Sequence, residues 1–587
     1  MRGLPFIGLG GLLIVLGTTL AGTGDKPLRL KELQRCGDLF ASDELTFCLR
    51  SEGLGKGELK LQLNDKPVEV ERRGDDRLRL TLRKAEHASG PLWLEQGGQR
   101  SNPVWLTLNG SHVLAASPEA VMKNMDGLTT YVDLVSLIIE ERYEGLDEAR
   151  RLADKYGAEV VGAIAPLNVY QLRLPARDLT ERDALVLRLG NEVSVDAVVI
   201  EESGPEPSVE SDTEKKPRNS EWAANRFLDA AYYYRQRLAS REAPVEAHPL
   251  RIGIIERDVD FDSPEFAHYL QACAPGEPRT CVYARDAEAP DTHGSLVTGI
   301  LAARSKEPAD HGFLSALEPA SGGYEVIVER NSDAGITANI AASVNLVEDG
   351  VRILNWSWGI HRIGTRDVEG EEVDSLIRSG IAMSGYEELL EEFFLWLRRE
   401  HPEVLVVNSA GNGSARSSQD DYRLPSSFIT DQLLVVGGHQ RSDRRDVPVD
   451  DPEYVTKRPS SNVDMRVDIT ASACTRAATR VPGERGEMHC GTSYATPMVA
   501  GAVAAMLSIN PRLEPSEVRE LLRRSALTIG RGSDFEPAEA DDLTAPILPS
   551  ERAYQLDDKD LGRSARLDMR KALELTVKSL EQERQGL

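Results

Sequence analysis

The sequence predicts an α/β protein whose largest part is a parallel sheet with helices on both faces. The main observation is that, from residue 250 onward, short apolar stretches typical of buried strands alternate with helical stretches. Two further observations concern the preceding residues: 128–202 follow the order βαββαβ, and 22–115 alternate apolar and polar residues with a period of two. Several domains are expected, because 587 residues are too many for one ordinary core.

Composition limits the classes of function. Hydrophobic residues make up 41% and charged residues 28% of the chain, which is typical of a globular protein. The formal net charge of −26 argues against a nucleic-acid partner, since phosphate binding requires Lys and Arg in excess. The cysteines show no spacing typical of a metal site.

The N-terminus predicts a secretory signal peptide over residues 1–21. Arg2 is followed by an apolar run that ends in small residues, with Thr19 and Ala21 suited to the positions before a cut. No cysteine follows that cut, so a lipid anchor is not expected. An uncleaved membrane anchor is the alternative, because the run approaches the length of a span. Cleavage predicts a secreted or periplasmic protein.

The six cysteines agree with export, because they fall into three local pairs. These pairs are Cys36 with Cys48, Cys273 with Cys281, and Cys474 with Cys490. An even count in an exported chain predicts disulfides, although sequence alone does not fix their connectivity. Six reduced, buried thiols are the alternative.

The elements follow in order along the chain. In the small β domain, 22–115, leucines line single faces of predicted strands, and Asn64-Asp65 supplies a turn; a sandwich is expected, without visible chemistry. In the domain at 128–202, helices are predicted over 145–157 and 178–190, between strands at 131–141, 158–175 and 195–202. The polar stretch 203–219 predicts an exposed linker that a protease could enter.

The final domain, 220–580, contains the candidate chemistry. Its strands are predicted around 251–255, 324–330, 351–359 and 403–409, with helices over 338–349 and 386–400. In such sheets, sites lie beyond the carboxyl ends of the strands. The strand "RIGII" leads into a run of acids that includes Glu256 and Asp258.

Three further motifs carry polar residues in small-residue surroundings. "GTSYATPMVAGAVAAML" places Ser493 at a helix N-terminus, where partial positive charge helps to hold an anion, and puts Pro497 in the expected first turn. "DTHGSLVTGILAAR" places His293 at the start of another helix, and "VVNSAGNGS" ends a strand near Asn412. Taken singly, each has a plain structural alternative: a capping serine, a structural histidine and a loop amide.

Taken together, the order acid, His, Asn and Ser resembles the subtilase family of serine proteases over about 220–580. The resemblance implies a subtilisin-like fold and peptide-bond hydrolysis through an acyl-enzyme. It implies Ser493 as nucleophile, His293 as base and Asn412 as oxyanion donor. Glu256 aligns with the family's catalytic Asp, and Asp258 is the alternative acid. A Glu adds a methylene, so its carboxylate is displaced by roughly 1 Å, a displacement that can lower the rate about 100-fold.

The resemblance also implies partners and regulation. Ser357, Trp358 and Gly359 match the edge that pairs with an extended polypeptide substrate. The βαββαβ domain resembles the ferredoxin-like propeptide of subtilases, which predicts a zymogen inhibited by its own propeptide and cut within the linker. No cofactor is expected; the family often binds calcium, but no motif here supports a calcium site. The alternative to an active endopeptidase is a degenerate subtilase that binds peptides or partners without cutting them.

Overall fold

The structure is a computed structural model of the chain. The structure describes residues 26–586 except 125–127, 204–210, 213–220, 239–244, 274–278, 288–291, 305–310, 319, 331–334, 362–381, 414–422, 445, 464–465, 477–485 and 530–565. The predicted signal peptide and most of the predicted linker lie outside the described residues.

The N-terminal domain is a β-sandwich of two antiparallel sheets. One sheet has the order β1-β2-β6-β5, and the other has the order β4-β3-β7-β8 with β9 also paired to β7. Leucines that alternate along these strands form the core between the sheets. The strands are β1 Arg29–Cys36, β2 Glu44–Glu52, β3 Leu59–Leu63, β4 Lys66–Val68, β5 Val70–Arg72, β6 Arg77–Arg83, β7 Gly90–Gln96, β8 Gln99–Arg100 and β9 Val104–Leu106.

The next domain has the element order βαββαβ, with an additional short strand before it. Its antiparallel sheet has β11 at the centre, between β13 and β14, and β12 lies outside β13. Apolar residues of both helices pack on one face of this sheet. The elements are β10 Val121–Lys123, β11 Thr129–Ile139, α1 Gly145–Tyr156, β12 Glu159–Ile164, β13 Val169–Arg173, α2 Leu179–Leu189 and β14 Val195–Ser203.

The remaining residues form an eight-stranded sheet with smaller strand pairs around it. The main order is β17-β18-β16-β19-β21-β23-β24, with β25 also paired to β23; all neighbours are parallel except β23 and β24. The strands are β15 Ser211–Asp212, β16 Leu250–Ile254, β17 Thr280–Tyr283, β18 Tyr324–Val328, β19 Ile353–Trp356, β20 Ile360–His361, β21 Leu405–Ser409, β22 Arg423–Leu424, β23 Leu433–Arg441, β24 Val455–Lys457, β25 Ile469–Ser472, β26 Cys474–Arg476 and β27 Met488–Cys490.

Helices cover this sheet, and one of them forms the centre of the core. The helix Thr492–Ile509 is long and apolar enough to cross a membrane, but 94% of that stretch is buried within the protein, as expected for a core helix. The helices longer than four residues are α3 Phe227–Leu238, α4 Thr292–Ala302, α5 Gly335–Glu348, α6 Ser384–Glu400, α7 Thr492–Ile509, α8 Pro515–Ser525 and α9 Met569–Gln585.

Polar contacts fix the N-terminal sandwich to the main domain. The Arg29 guanidinium lies 2.9 Å from Asp262 Oδ1, and Trp105 Nε1 donates to Asp349 Oδ2 at 2.8 Å. Asn102, which is fully buried, donates to the backbone carbonyls of both Leu30 and Ala284. The sandwich therefore braces the segment that follows β16.

All three predicted cysteine pairs are bonded in the structure, so the alternative of reduced thiols is not the arrangement found. The disulfides join Cys36 to Cys48, Cys273 to Cys281, and Cys474 to Cys490. The third disulfide crosses the antiparallel pair β26 and β27. It therefore constrains the strand that ends three residues before Ser493.

Candidate active site

The sheet brings the candidate residues to one edge. Glu256 follows the carboxyl end of β16, and Asn412 follows the carboxyl end of β21. His293 lies in the first turn of α4, and Ser493 lies in the first turn of α7. Strands β16 and β21 flank β19, whose continuation carries Ser357. A parallel sheet therefore assembles residues that are 237 positions apart in the sequence, from 256 to 493.

Glu256 and His293 are in direct contact. Both carboxylate oxygens of Glu256 lie 3.1 Å from His293 Nδ1. Glu256 is buried, and the Tyr494 ring packs beside the imidazole with 5.5 Å between ring centroids. An acid at Nδ1 favours the tautomer in which Nε2 carries the free lone pair. The additional methylene of Glu is thus accommodated without loss of the contact.

The alternative acid, Asp258, has a different set of contacts. Its carboxylate Oδ1 lies 3.6 Å from Arg285 Nε. Its backbone carbonyl lies under the first turn of α4, where a Cβ on Gly294 would be 2.5 Å from that oxygen. The glycine after His293 is therefore required by this close approach. The backbone of Asp258 supports the helix that carries His293, while its side chain faces Arg285.

The first turn of α7 differs from the sequence prediction in the position of Pro497. The helix begins at Thr492, so Pro497 lies in the second turn, inside the helix. Proline there has no N–H for the carbonyl four residues earlier, which belongs to Ser493. The Ser357 hydroxyl donates to that carbonyl at 2.8 Å, and Ser493 Oγ donates to the Ser357 carbonyl at 3.2 Å. Because Pro497 leaves the Ser493 carbonyl without a helical donor, the Ser357 hydroxyl can donate to it. This bond joins the candidate nucleophile to the candidate substrate edge.

Asn412 is oriented by the same helix start. Its Oδ1 accepts hydrogen bonds from the Thr492 N–H at 2.9 Å and from the Thr492 hydroxyl at 3.2 Å. Because the amide oxygen is occupied in this way, the amide nitrogen is the group of this side chain that can donate to a substrate. The Gly411 N–H also donates to the Thr492 hydroxyl, at 3.1 Å. Loop 411–412 and the helix N-terminus are therefore held together.

The predicted substrate edge, residues 357–359, is supported from below by Asn408. The buried amide nitrogen of Asn408 donates to the carbonyls of Trp356 and Trp358 at 2.8 and 2.9 Å. The Trp358 ring packs against Trp356, with 4.9 Å between ring centroids. These contacts hold the segment in place beside Ser493.

The structure adds one residue that the sequence analysis did not single out. Arg423, at the start of β22, is only 6% exposed, and its guanidinium donates to the carbonyl of Ser409, the last residue of β21. A single Arg in the stretch "DDYRLPSS" has no periodicity or motif around it. Arg423 is recognised as a candidate functional residue only from its contacts with chain segments near Ser493.

A carboxylate, a histidine and a serine in this chain order, at the carboxyl edge of a parallel α/β sheet, define a serine-type peptidase. The family comparison gives the particular family. The model of the subtilase family matches residues 250–562, more than half of the chain, so this protein belongs to the subtilases.

Individual relatives are distant. Subtilisin DY from Bacillus licheniformis is 25% identical over 239 residues, which cover 40% of this chain and 71% of the relative. Subtilisin NAT from Bacillus subtilis subsp. natto is 28% identical over 127 residues, covering 22% and 29%. Among solved structures, the epidermin leader peptide processing serine protease from Staphylococcus aureus is 17% identical with a TM-score of 0.47, covering 76% of this chain and 98% of that one.

Proposed function

We propose that this protein is an exported serine endopeptidase that is made as a zymogen. The observation that carries the proposal is the contact of both Glu256 oxygens with His293 Nδ1 at 3.1 Å, beside a helix that presents Ser493. This pair supplies a base with a lone pair on Nε2, which is what a hydroxyl nucleophile requires. The proposed substrate is a polypeptide.

The proposed reaction is acyl transfer in two halves. Ser493 Oγ exchanges its present acceptor, the Ser357 carbonyl, for His293 Nε2 and attacks the carbonyl carbon of the scissile peptide bond. His293 takes the hydroxyl proton and passes it to the leaving amine as the C–N bond breaks. Water then attacks the ester, with His293 again as the base, and releases the acid and free Ser493. Glu256 stabilises the imidazolium and does not itself change protonation state.

The oxyanion of each tetrahedral intermediate is assigned to Asn412 and the Ser493 N–H. The orientation of Asn412 by Thr492 supports this role, because the amide nitrogen is then fixed before the substrate arrives. A preorganised donor of this kind lowers the barrier by about 3–4 kcal/mol. The nucleophile, base and donors all come from this chain, so no step is assigned to a cofactor.

A structural metal remains outside the proposal. Within the part of the chain that the structure describes, no group of three or more His, Cys, Asp and Glu side chains could hold a metal ion. Export rests on the predicted signal peptide together with the three disulfides, which persist in oxidising compartments. The alternative of a degenerate, non-cutting subtilase depends on the Asp-to-Glu change, and the retained contact with His293 argues against it.

The test of the proposed function is a covalent probe that needs no known substrate. The processed full-length chain is incubated with a fluorophosphonate, which forms a bond only with an activated serine hydroxyl. We expect one adduct per chain on Ser493 by peptide mass spectrometry, and a parallel loss of casein hydrolysis. Casein left uncut by the processed chain, with no labelling of Ser493, would contradict an active peptidase.

The zymogen part of the proposal rests on how the βαββαβ domain meets the peptidase domain. Glu201, at the end of β14, accepts hydrogen bonds from the backbone N–H groups of Ile336 and Thr337 at 3.1 and 3.0 Å. These are groups of the first turn of α5, where partial positive charge favours a carboxylate. Tyr386 Oη lies 3.5 Å from Glu201 and accepts from the Glu202 N–H at 2.8 Å.

The part of the linker that the structure describes beyond β14 lies beside the strand that leads to Ser493. Within it, Ser211 and Asp212 form an antiparallel pair with His489 and Met488 of β27. That strand ends three residues before Ser493. This location supports the linker as the activation cut.

Docking of the βαββαβ domain is expected to weaken as pH rises. Burial is the largest influence on Glu201 and raises its pKa from 4.5 to about 7, against the opposing effect of its hydrogen bonds. Because the docked carboxyl holds its proton more tightly than an undocked one, docking is strongest below about pH 4.5 and loses on the order of 3 kcal/mol as pH rises through about 7. Hydrogen exchange of β14 at pH 5 and pH 8 in inactive full-length protein measures the effect.

The matched control for this pH dependence is Glu201→Gln. Gln keeps an oxygen acceptor for the two N–H groups but does not titrate in this range. We expect equal protection of β14 at both pH values in this variant. A variant that retains the full pH dependence of the wild type would assign it to another group.

A further inference from the structure

Arg423 is a buried cation without an acidic partner among the described residues. Its Nη1 donates to Asn408 Oδ1 at 3.3 Å, to Ser426 Oγ at 3.2 Å and to the Ser409 carbonyl, and its Nη2 donates to Ser409 Oγ at 3.0 Å. All these acceptors are neutral, and Nε has no hydrogen-bond partner. Burial lowers the pKa of Arg423 to about 9. A buried charge without a counter-charge is unfavourable, so packing alone does not explain an arginine at this position.

The guanidinium lies between the two chain segments that flank Ser493. A Cβ built on Gly359 would be 2.1 Å from Arg423 Cζ, and a Cβ built on Gly411 would be 2.6 Å from Arg423 Cδ. The φ of Gly411 is +101°, which also favours glycine. Both glycines are thus needed for the arginine to occupy this place. Gly359 belongs to the substrate edge, and Gly411 precedes Asn412.

Substrate geometry directs one side chain into this space. A peptide paired with residues 357–359, with its scissile carbonyl carbon at Ser493 Oγ and its carbonyl oxygen toward Asn412, has its backbone fixed on two sides. The side chain of the residue that contributes the carbonyl then falls between segments 357–359 and 410–412. The guanidinium of Arg423 lies against Gly359 of the first segment and Gly411 of the second.

We propose that Arg423 determines specificity by binding the carboxylate of a Glu or Asp that contributes the scissile carbonyl. This inference rests on the proposed peptidase function. Arg binds carboxylates through its planar fork of donors, and charge-assisted bonds of this kind are the stronger ones. A bound acid supplies the missing counter-charge. A neutral side chain in the same place leaves the cation unpaired, and such a penalty discriminates strongly between substrates.

The linker of this chain offers substrates of the proposed class. Between residues 203 and 219 it contains Glu206, Glu210, Asp212 and Glu214. Its described pair, Ser211 and Asp212, lies against β27 near Ser493. We therefore expect self-processing to leave an acid at the new C-terminus of the released fragment.

The experiment compares peptides that differ only in the residue before the scissile bond. Processed full-length enzyme is given matched fluorogenic peptides with Glu, Gln, Leu or Lys at that position, and kcat/KM is measured for each. We expect Glu to exceed the isosteric Gln by on the order of 10²-fold. In Arg423→Gln, we expect the value for the Glu peptide to fall by a similar factor, while the Gln peptide is cut at least as well as by the wild type.

The outcomes separate this inference from the proposed function. If the wild type cuts the Gln or Leu peptide as well as the Glu peptide, the role of Arg423 is wrong and the peptidase stands. If it cuts none of the peptides and no casein, the proposed function fails and the inference fails with it. The wild-type profile decides the matter even if Arg423→Gln does not fold.

Discussion

Replacing Ser493 by Ala is expected to lower kcat for casein hydrolysis by on the order of 10⁶-fold, the size found for the same nucleophile in subtilisin. The change removes the only atom that forms the proposed acyl bond. Among the described residues, the hydroxyl makes one hydrogen bond, to the Ser357 carbonyl at 3.2 Å, so its loss disturbs little else. The variant is measured on casein after processing by an added protease, so that self-cleavage is not required. Unassisted, it is also expected to stay intact at 203–219.

The matched control is Ser508→Ala, in the same helix but distant from the candidate active site. Ser508 Oγ lies 2.7 Å from Tyr234 Oη in the core. Loss of this buried hydrogen bond is expected to lower the free energy of unfolding by about 1–3 kcal/mol and to leave kcat unchanged. Casein hydrolysis by Ser493→Ala at the wild-type rate would remove Ser493 from the mechanism.

Glu256→Gln is expected to lower kcat by on the order of 10⁴-fold while the protein remains folded. Both oxygens of Glu256 lie 3.1 Å from His293 Nδ1. The amide of Gln can present an N–H to Nδ1, which favours the tautomer with its proton on Nε2, where the base must be free. The result is measured as kcat on casein or on a cleaved peptide, with thermal unfolding of each variant as the check on folding.

Asp258→Asn is the paired measurement, because it makes the same chemical change two residues away. The Asp258 carboxylate lies 3.6 Å from Arg285 Nε, and the support for α4 comes from its backbone carbonyl, which Asn retains. We expect kcat within about threefold of the wild type, with a small loss of stability from the weakened ion pair. A large fall in Asp258→Asn with an active Glu256→Gln would move the orienting acid to Asp258.

The two acids illustrate how far the sequence could be followed. The stretch "RIGIIERDVDFDSPEF" resembles a strand followed by acids, and its alignment with the family pointed to Glu256 as the orienting acid. Because Glu has an additional methylene, the alignment did not decide whether its carboxylate is placed to contact His293. That placement depends on where the backbone after β16 lies relative to the start of α4. The close approach of Gly294 to the Asp258 carbonyl sets this distance, and it is a contact between segments 36 residues apart.

Pro497 is a second case in which a sequence motif did not predict the local structure correctly. The motif placed a proline soon after Ser493, and local rules assigned it to a first turn, where a missing N–H is harmless. The helix begins at Thr492, so the proline lies one turn later and leaves the Ser493 carbonyl without its helical donor. The hydroxyl of Ser357, 136 residues earlier in the chain, supplies that donor. Local propensity could not anticipate a partner so distant in sequence.

The sequence by itself determined the order of strands and helices, the parallel sheet that follows from their alternation, and the presence of Ser493, His293 and a nearby acid. Periodicity and short motifs encode these features within a few residues of one another. Only the tertiary structure decided that Glu256 contacts His293, that Glu201 joins the βαββαβ domain to α5, and that Arg423 lies between two glycines with no acidic partner among the described residues. Each of these contacts joins a buried charged side chain to a chain segment that is distant in sequence, and the burial and pairing of charges are properties of the assembled core.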